Sequence, residues 1–340
     1  MREDQPRILI LRLSSIGDIL LTTPFIRQVR IHFPEAKIDF VVKKQFFQLL
    51  KNNPHLNKIY QLDPEQGIKG LLTLRRKLVA AQYTYIFDLH HNFRTELLTA
   101  FVPADEKRTI HKDIRKRFLL VTFKKNIYST ILPIPQRYRQ VAAELGVEDD
   151  GNGLEILWKN RVAERLWRRL KRLDLDHNYL VLAPGAGFKT KRWPIEYFRE
   201  VVQYILENRK EKIILLGSAE ERKDFEPLLL SKKVVNLAGQ VSLLEAAVVL
   251  SDARLVVSND SGLMHMATAV NSPLVAIFGS TVEEFGFFPY KAKAVVLQVE
   301  GLKCRPCSHI GKKACPKKHF KCMRDIQPQT VINHISKMIR

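Results

Sequence analysis

The chain has 340 residues, 46% of them hydrophobic, and a formal net charge of +21. That length predicts two domains, and that apolar content argues against a disordered chain. No apolar run reaches the ~20 residues of a spanning helix, and the start MREDQPRILIL lacks the h-region of a signal peptide, so a cytoplasmic protein that favours anionic partners is expected.

In the first half, strand patterns fall near 7–13, 38–43, 57–62, 84–89 and 107–110, and helix patterns near 18–33, 45–52, 66–82 and 93–101. The opening stretch RILILRLSSIGDILLTTP, 7–24, runs from a buried strand into a Ser/Gly loop. It lacks the G-x-G-x-x-G of a dinucleotide site and offers instead one glycine, Gly17, followed by a carboxylate, Asp18. Asp18 reads as a helix N-cap or, if the helix starts at Thr23 and Pro24, as an acid in the loop. In DLHHNFR, after the fourth strand, Arg94 is a candidate for an anionic ligand, and His90 and His91 read either as further ligand contacts or, preferably, as loop residues. Residues 107–125, KRTIHKDIRKRFLLVTFKK, mix cations with Phe118, Leu119, Leu120 and Phe123, the composition of a segment that meets an anionic amphiphile. A helix pattern over 134–147 ends at Gly146, and VEDDGNG after it is a candidate linker.

The second half repeats the plan. RVAERLWRRLKRL, 161–173, reads as a solvated helix with one buried stripe of Val162, Leu166, Leu170 and Leu173. Strands are expected near 178–183, 212–216, 233–237, 254–258 and 273–278, and helices near 195–208, 219–230, 242–251, 262–270 and 328–339. Alternation of this kind predicts parallel sheets covered by helices on both faces, with ligands at the carboxyl ends of strands.

Three loops of the second half converge on one patch under that plan. LAPGAGFKTKRWP, 182–194, offers glycines that let backbone N–H groups approach an anion, then Lys189, Lys191 and Arg192. VVSNDSGLMHMATA, 256–269, ends a buried strand at a helix start, where Asp260 or Ser261 is a candidate N-cap, the free N–H groups offer an anion site, and His265 lies in the first turn. AIFGSTVEEF, 276–285, adds Gly279, Ser280 and Thr281, suited to ribose or phosphate. Asp174, Leu175 and Asp176 form a D-x-D sequence of the kind that can hold a metal, and they read as a helix-end loop.

All four cysteines sit late, Cys304, Cys307, Cys315 and Cys322, spaced C-x2-C-x7-C-x6-C. Four thiolates suit a structural Zn or Fe ion, and a reduced cytoplasmic setting disfavours disulfides. The other reading is four reduced thiols in a basic loop.

The motifs LSSIGDILLTTP, PGAGFKTKRWP and LAGQVSLLEAAVVLSDARLVVSNDSGLMHMATAVNSPLVAIFGST resemble glycosyltransferase family 9, the ADP-heptose:lipopolysaccharide heptosyltransferases. The resemblance runs from Arg7 to about Ile326. It implies a GT-B architecture, two Rossmann-like α/β domains facing a cleft. The expected division is 1–150 for an acceptor domain, 151–326 for a donor domain carrying the cysteine segment 304–322, and 327–340 for a closing helix. It implies an inverting, metal-independent transfer of heptose from ADP-heptose to the anionic inner core of lipopolysaccharide, with the protein peripheral on the cytoplasmic face of the inner membrane and no specific nucleic acid as partner. It makes Asp18 the general base and Lys191 the cation at the donor diphosphate. Gly185, Ala186, Gly187, Glu220 and Val241 join the donor side, as do Asp260, Ser261, Gly262 and His265. Ala186 and Gly187 depart from the Thr or Ser frequent in the family. On the acceptor side stand Ser14, Ser15, Arg94, Arg115 and Arg117. The rival readings are a transferase of heptose to protein side chains, a GT-B sugar-nucleotide epimerase, and a basic nucleic-acid-binding protein, which would lack any recognised module.

Overall fold

The computed structural model describes residues 5–173, 175 and 177–339. The chain divides into two compact units, one running through Lys112 and resuming over Pro133–Leu157, the other comprising Asp113–Leu132 and the chain from Trp158 on.

The first unit is built from β1 (Arg7–Leu11), α1 (Ile16–Leu20), α2 (Thr23–His32), β2 (Lys37–Lys43), β3 (Lys58–Leu62), α3 (Gly67–Val79), β4 (Tyr83–Asp88), α4 (Phe93–Thr99) and β5 (Ala104–Thr109). The chain then forms α5 (Ile114–Phe123), which belongs to the second unit, and returns as α6 (Ile134–Gln140). The strands pair in parallel in the order β3-β2-β1-β4-β5. Ile10 of β1 faces Phe40 on one side and Phe87 on the other. All of Ile8–Leu11 is buried, as a central strand covered on both faces requires.

The helix expected over 18–33 is two helices. Pro24 has no N–H to give Leu20, and a continuous helix would press its ring on that carbonyl. The Thr23 hydroxyl donates to Leu20 O instead, at 2.7 Å, and the Thr22 hydroxyl donates to Ile19 O at 2.6 Å. VEDDGNG is not a free linker. Arg27 of α2 pairs with Asp150, reaches Glu155 Oε2 at 2.7 Å and donates to Gly153 O at 3.1 Å. Leu154 and Ile156 are buried as well. These bonds keep 151–157 with the first unit, so the division falls after Leu157 and not after 150.

The second unit continues with α7 (Asn160–Leu170), β6 (Tyr179–Ala183), α8 (Ile195–Asn208), β7 (Lys212–Leu215), β8 (Val234–Asn236), α9 (Leu243–Ser251), β9 (Val256–Asn259), α10 (Gly262–Ala269), β10 (Leu274–Phe278), β11 (Ala294–Gln298), α11 (Lys321–Arg324) and α12 (Pro328–Met338). Its sheet is parallel, in the order β11-β10-β9-β6-β7-β8. α12 shares the core of this unit: Val331, Ile332 and Ile335 lie in one cluster with Trp193, Phe198 and Met323. The segment 113–132 is tied in by Lys124 Nζ donating to Pro306 O at 2.5 Å and Asn126 donating to Glu284 at 2.8 Å.

Three details differ from expectation. The pattern at 219–230 yields only a 3-10 turn, Lys223–Leu228, with Pro227 inside it. The pattern at 45–52 is likewise a 3-10 turn, Lys44–Leu49. Of the stripe on α7, Leu166 and Leu170 are buried while Leu173 lies 47% exposed in the turn beyond the helix.

Both sheets reverse strand order once, between β1 and β4 in the first and between β6 and β9 in the second. In open α/β sheets the crevice beyond the carboxyl ends of two such strands is where ligands bind. The loops that follow these four strands are 12–15, 89–92, 184–194 and 260–261, which hold most of the residues singled out in the sequence.

Candidate functional site

In the first unit, Ser15 caps α1 and Asp18 is the third residue of that helix. Asp18 is therefore neither the N-cap nor a loop acid. Its Oδ2 accepts from Ser15 N at 3.0 Å and from the Ser15 hydroxyl at 2.8 Å, the reciprocal bond of a capping box. Its Oδ1 lies 2.5 Å from Arg12 Nη2, and one-fifth of the side chain remains exposed. Arg12 is held from behind: Nη1 donates to Leu89 O at 2.7 Å and Nε to Ser14 O at 3.0 Å. Its guanidinium lies 5.9 Å from the ring centre of Tyr138, whose hydroxyl burial holds well above the usual phenol range. Burial works against the Arg12 charge, but Tyr138, Asp18 and Asp88 outweigh it and raise its pKa.

His90 accepts from Leu13 N through Nδ1 at 3.3 Å, which leaves the proton of the neutral ring on Nε2. Burial, aided by Arg12, pushes its pKa down to about 3. His91 points its Nδ1 at Ile110 O, 3.2 Å away. Asp88, which the sequence reading passed over, is fully buried at the end of β4. Its Oδ1 accepts from the backbone of His90 and His91 at 2.9 and 2.7 Å. The signal for it was an acid closing a buried strand, YIFD. Arg94 is exposed on α4, in the same unit as Asp18. Arg115 and Arg117 are not: both lie on α5, in the second unit.

In the second unit, the loop after β6 and the start of α10 meet through Lys191, whose Nζ lies 2.7 Å from Asp260 Oδ2. Asp260 is only 5% exposed, and the same oxygen accepts from the Thr281 hydroxyl at 2.7 Å. Ser261 is the N-cap of α10, accepting from Met264 N. Gly262 opens the helix, and His265 is buried in its first turn. Asn259 binds the two loops together: its Oδ1 accepts from Trp193 N at 3.1 Å and its Nδ2 donates to Pro184 O at 2.6 Å. Free N–H groups at a helix start and a fixed ammonium beside them suit a phosphate.

Gly185 and Ala186 are buried and Gly187 is exposed. A Cβ on Gly185 would run into the Glu221 carboxylate. Glu221 also pairs with Arg192 Nη2 at 3.2 Å, while Arg192 Nε donates to Ala186 O at 2.8 Å. The acid that closes on this loop is thus Glu221. Glu220 is exposed, and a hydrogen bond from Ser218 holds its carboxyl below the usual range. The two are adjacent in a turn with no periodic pattern, so the sequence alone does not tell them apart. Val241 is half-buried, just before the capping box of α9. Asp174 and Asp176 lie outside the described residues.

Cys304, Cys307, Cys315 and Cys322 line one cavity of about 200 Å³, with Lys124, Lys312 and His319. Cys304 Sγ is 3.7 Å from His319 Nε2. Burial raises the Cys307 thiol and pushes Cys322 up to about 12. The donor types suit Zn or Fe. The arrangement does not yet suit an ion, because among the described residues no three His, Cys, Asp or Glu side chains are set to hold one.

The family model for glycosyltransferase family 9 (heptosyltransferase) matches residues 71–318. Lipooligosaccharide heptosyltransferase 2 of Haemophilus influenzae is 26% identical, over 98% of this chain and 99% of its own. A glycosyl transferase family 9 structure from Veillonella parvula superposes with a TM-score of 0.82 at 25% identity, covering 100% of this chain and 98% of the other. The Escherichia coli heptosyltransferase WaaC, solved with ADP, shares the fold with a TM-score of 0.71 at 22% identity, covering 98% and 99%.

Proposed function

The chain belongs to glycosyltransferase family 9, and from that premise we propose that it is an inverting heptosyltransferase, moving heptose from ADP-heptose to the inner core of a lipopolysaccharide. The observation that carries the donor side is the Lys191–Asp260 pair at the start of α10, set at the switch point of the second sheet. There the diphosphate meets Lys191 and the first N–H groups of α10, beside Gly185, Ala186, Gly187 and Ser261. Departure of ADP leaves negative charge on the diphosphate, and those groups stabilise it as it develops.

Asp18 is the proposed base. The acceptor oxygen forms a bond to C1 of the heptose, the bond from C1 to the diphosphate oxygen breaks on the opposite face, and the hydroxyl proton passes to Asp18. Arg12 and Ser15 hold the carboxylate in one orientation, which keeps the reacting groups aligned. Arg94, Ser14 and Ser15 are proposed to meet the anionic acceptor in the first unit. α5 presents Ile114, Phe118 and Phe123 to solvent, 65%, 56% and 65% exposed, among Arg115, Lys116 and Arg117. That combination suits an anionic lipid surface, where the acceptor is anchored. No helix among the described residues is long and apolar enough to cross a membrane.

For the four thiols the proposal is a structural Zn or Fe ion, which would require them to draw closer than they stand. Metal analysis of purified protein finding one Zn or Fe per chain supports it, and finding neither ends it. The donor reading is tested by titrating the protein with ADP, UDP and GDP. Binding of ADP in preference to the other two supports it, and binding of none contradicts it.

A further inference from the structure

The cysteine-rich segment touches the candidate donor site at two places, and neither contact involves a cysteine. The first is Arg305. Its Nε and Nη2 both donate to Thr281 O, at 3.1 and 2.6 Å. Nη2 also donates to Gln298 Oε1 at 2.6 Å, and Nη1 donates to Val299 O at 3.1 Å. Among the described residues, every hydrogen bond of this planar fork goes to a neutral acceptor, so the fork serves to hold those acceptors in place. Thr281 is 4% exposed, and its hydroxyl passes that constraint to Asp260 Oδ2 at 2.7 Å. Asp260 passes it to Lys191 Nζ, also at 2.7 Å.

The second contact lies on the other side of the same lysine. Thr190 N donates to Lys312 O at 3.1 Å, and Lys312 N donates to the Thr190 hydroxyl at 2.8 Å. The close approach continues at Gly311, whose φ is +112° and where a Cβ would meet Phe188 at 2.6 Å. Glycine is needed there for both reasons. Lys191 is thus bracketed: its backbone neighbour is paired to the segment, and its ammonium is tied to the segment through two side chains.

We propose that Arg305 is a positioning residue for the donor diphosphate, fixing Lys191 through Thr281 and Asp260, so that residues 305–312 act as a strap across the donor loops. The inference rests on the donor reading above. Its physical content is preorganisation. An ammonium already held where charge develops costs no reordering at the moment of reaction, whereas a long, rotamer-rich lysine left loose must be ordered by the ligand.

The test is a double-mutant cycle on ADP affinity with Thr281→Val and Arg305→Met, with Thr281→Ser as the conservative variant. Each single change is expected to weaken ADP about tenfold, and the double variant no more than either alone, because both cut one chain of contacts. Thr281→Ser restores the affinity. With ADP-heptose, the donor KM rises and the acceptor KM does not. If wild-type protein binds ADP but the two changes multiply, or leave affinity unaltered, the strap is overturned and the donor site stands. If wild-type protein binds no ADP, the donor reading falls and the strap with it. Should Arg305→Met fail to fold, Arg305→Lys, which cannot reproduce the fork, completes the cycle with the same expectations.

Discussion

Asp18 shows how one carboxylate serves two purposes. It closes the cap of α1 through Ser15 and pairs with Arg12, yet one-fifth of it stays open to a ligand. Its neighbour His90 has the opposite character, a histidine kept neutral. An unfolded histidine takes its proton near pH 6.5 and the folded one only near 3. The unfolded state therefore binds more protons across that window. Stability from this group is full above about pH 6.5 and is lost progressively as pH falls toward 3, by an order of 1 kcal/mol at pH 5 once partial exposure is allowed for. Denaturant midpoints at pH 7 and pH 5 check this: wild type should lose more than His90→Asn, and equal losses would count against it. At this scale the sequence showed which residue types mattered and where they lay. It could not show partners distant in the chain. Nothing in LSSIGD says that Arg12 is anchored on Leu89 O, which arrives from the end of another strand. The same holds for Glu220 and Glu221, which only the approach of Glu221 to Gly185 tells apart.

Among the elements, the strands were legible because both sheets are covered on both faces, so each central strand reads as a continuous apolar run. Two elements gave no such signal. α5 buries only Leu120, leaving no stripe to detect. β11 is a half-buried edge strand. The start of α10 was visible as a cap, but its ion pair was not, because Lys191 and Asp260 arrive from different strands. That pair carries an energetic consequence. Lys191→Met strands a carboxylate that is 5% exposed, and the loss is expected to be about 3 kcal/mol. Adding Asp260→Asn should recover most of that stability while ADP binding stays lost. Thermal melts with and without ADP measure both. If Lys191→Met melts with wild type, Asp260 does not depend on its partner.

For the whole molecule, length and alternation predicted two α/β units. The course of the chain between them was not legible, because α5 leaves one unit for the other and 151–157 is retained by Arg27. The charge of +21 remains the broadest signal. It predicts binding to vesicles rich in anionic lipid that weakens as salt rises. Phe118→Glu with Phe123→Glu should reduce that binding severalfold, and sedimentation with vesicles reads it. Unaltered binding would move the lipid-facing surface away from α5. The direct measurement of the reaction is mass spectrometry of a Kdo-lipid A acceptor after incubation with this protein and ADP-heptose. The acceptor is expected to gain the mass of one heptose, and Asp18→Ala to slow the gain about a hundredfold or more. No gain and no release of ADP, or a full gain with Asp18→Ala, would contradict that expectation.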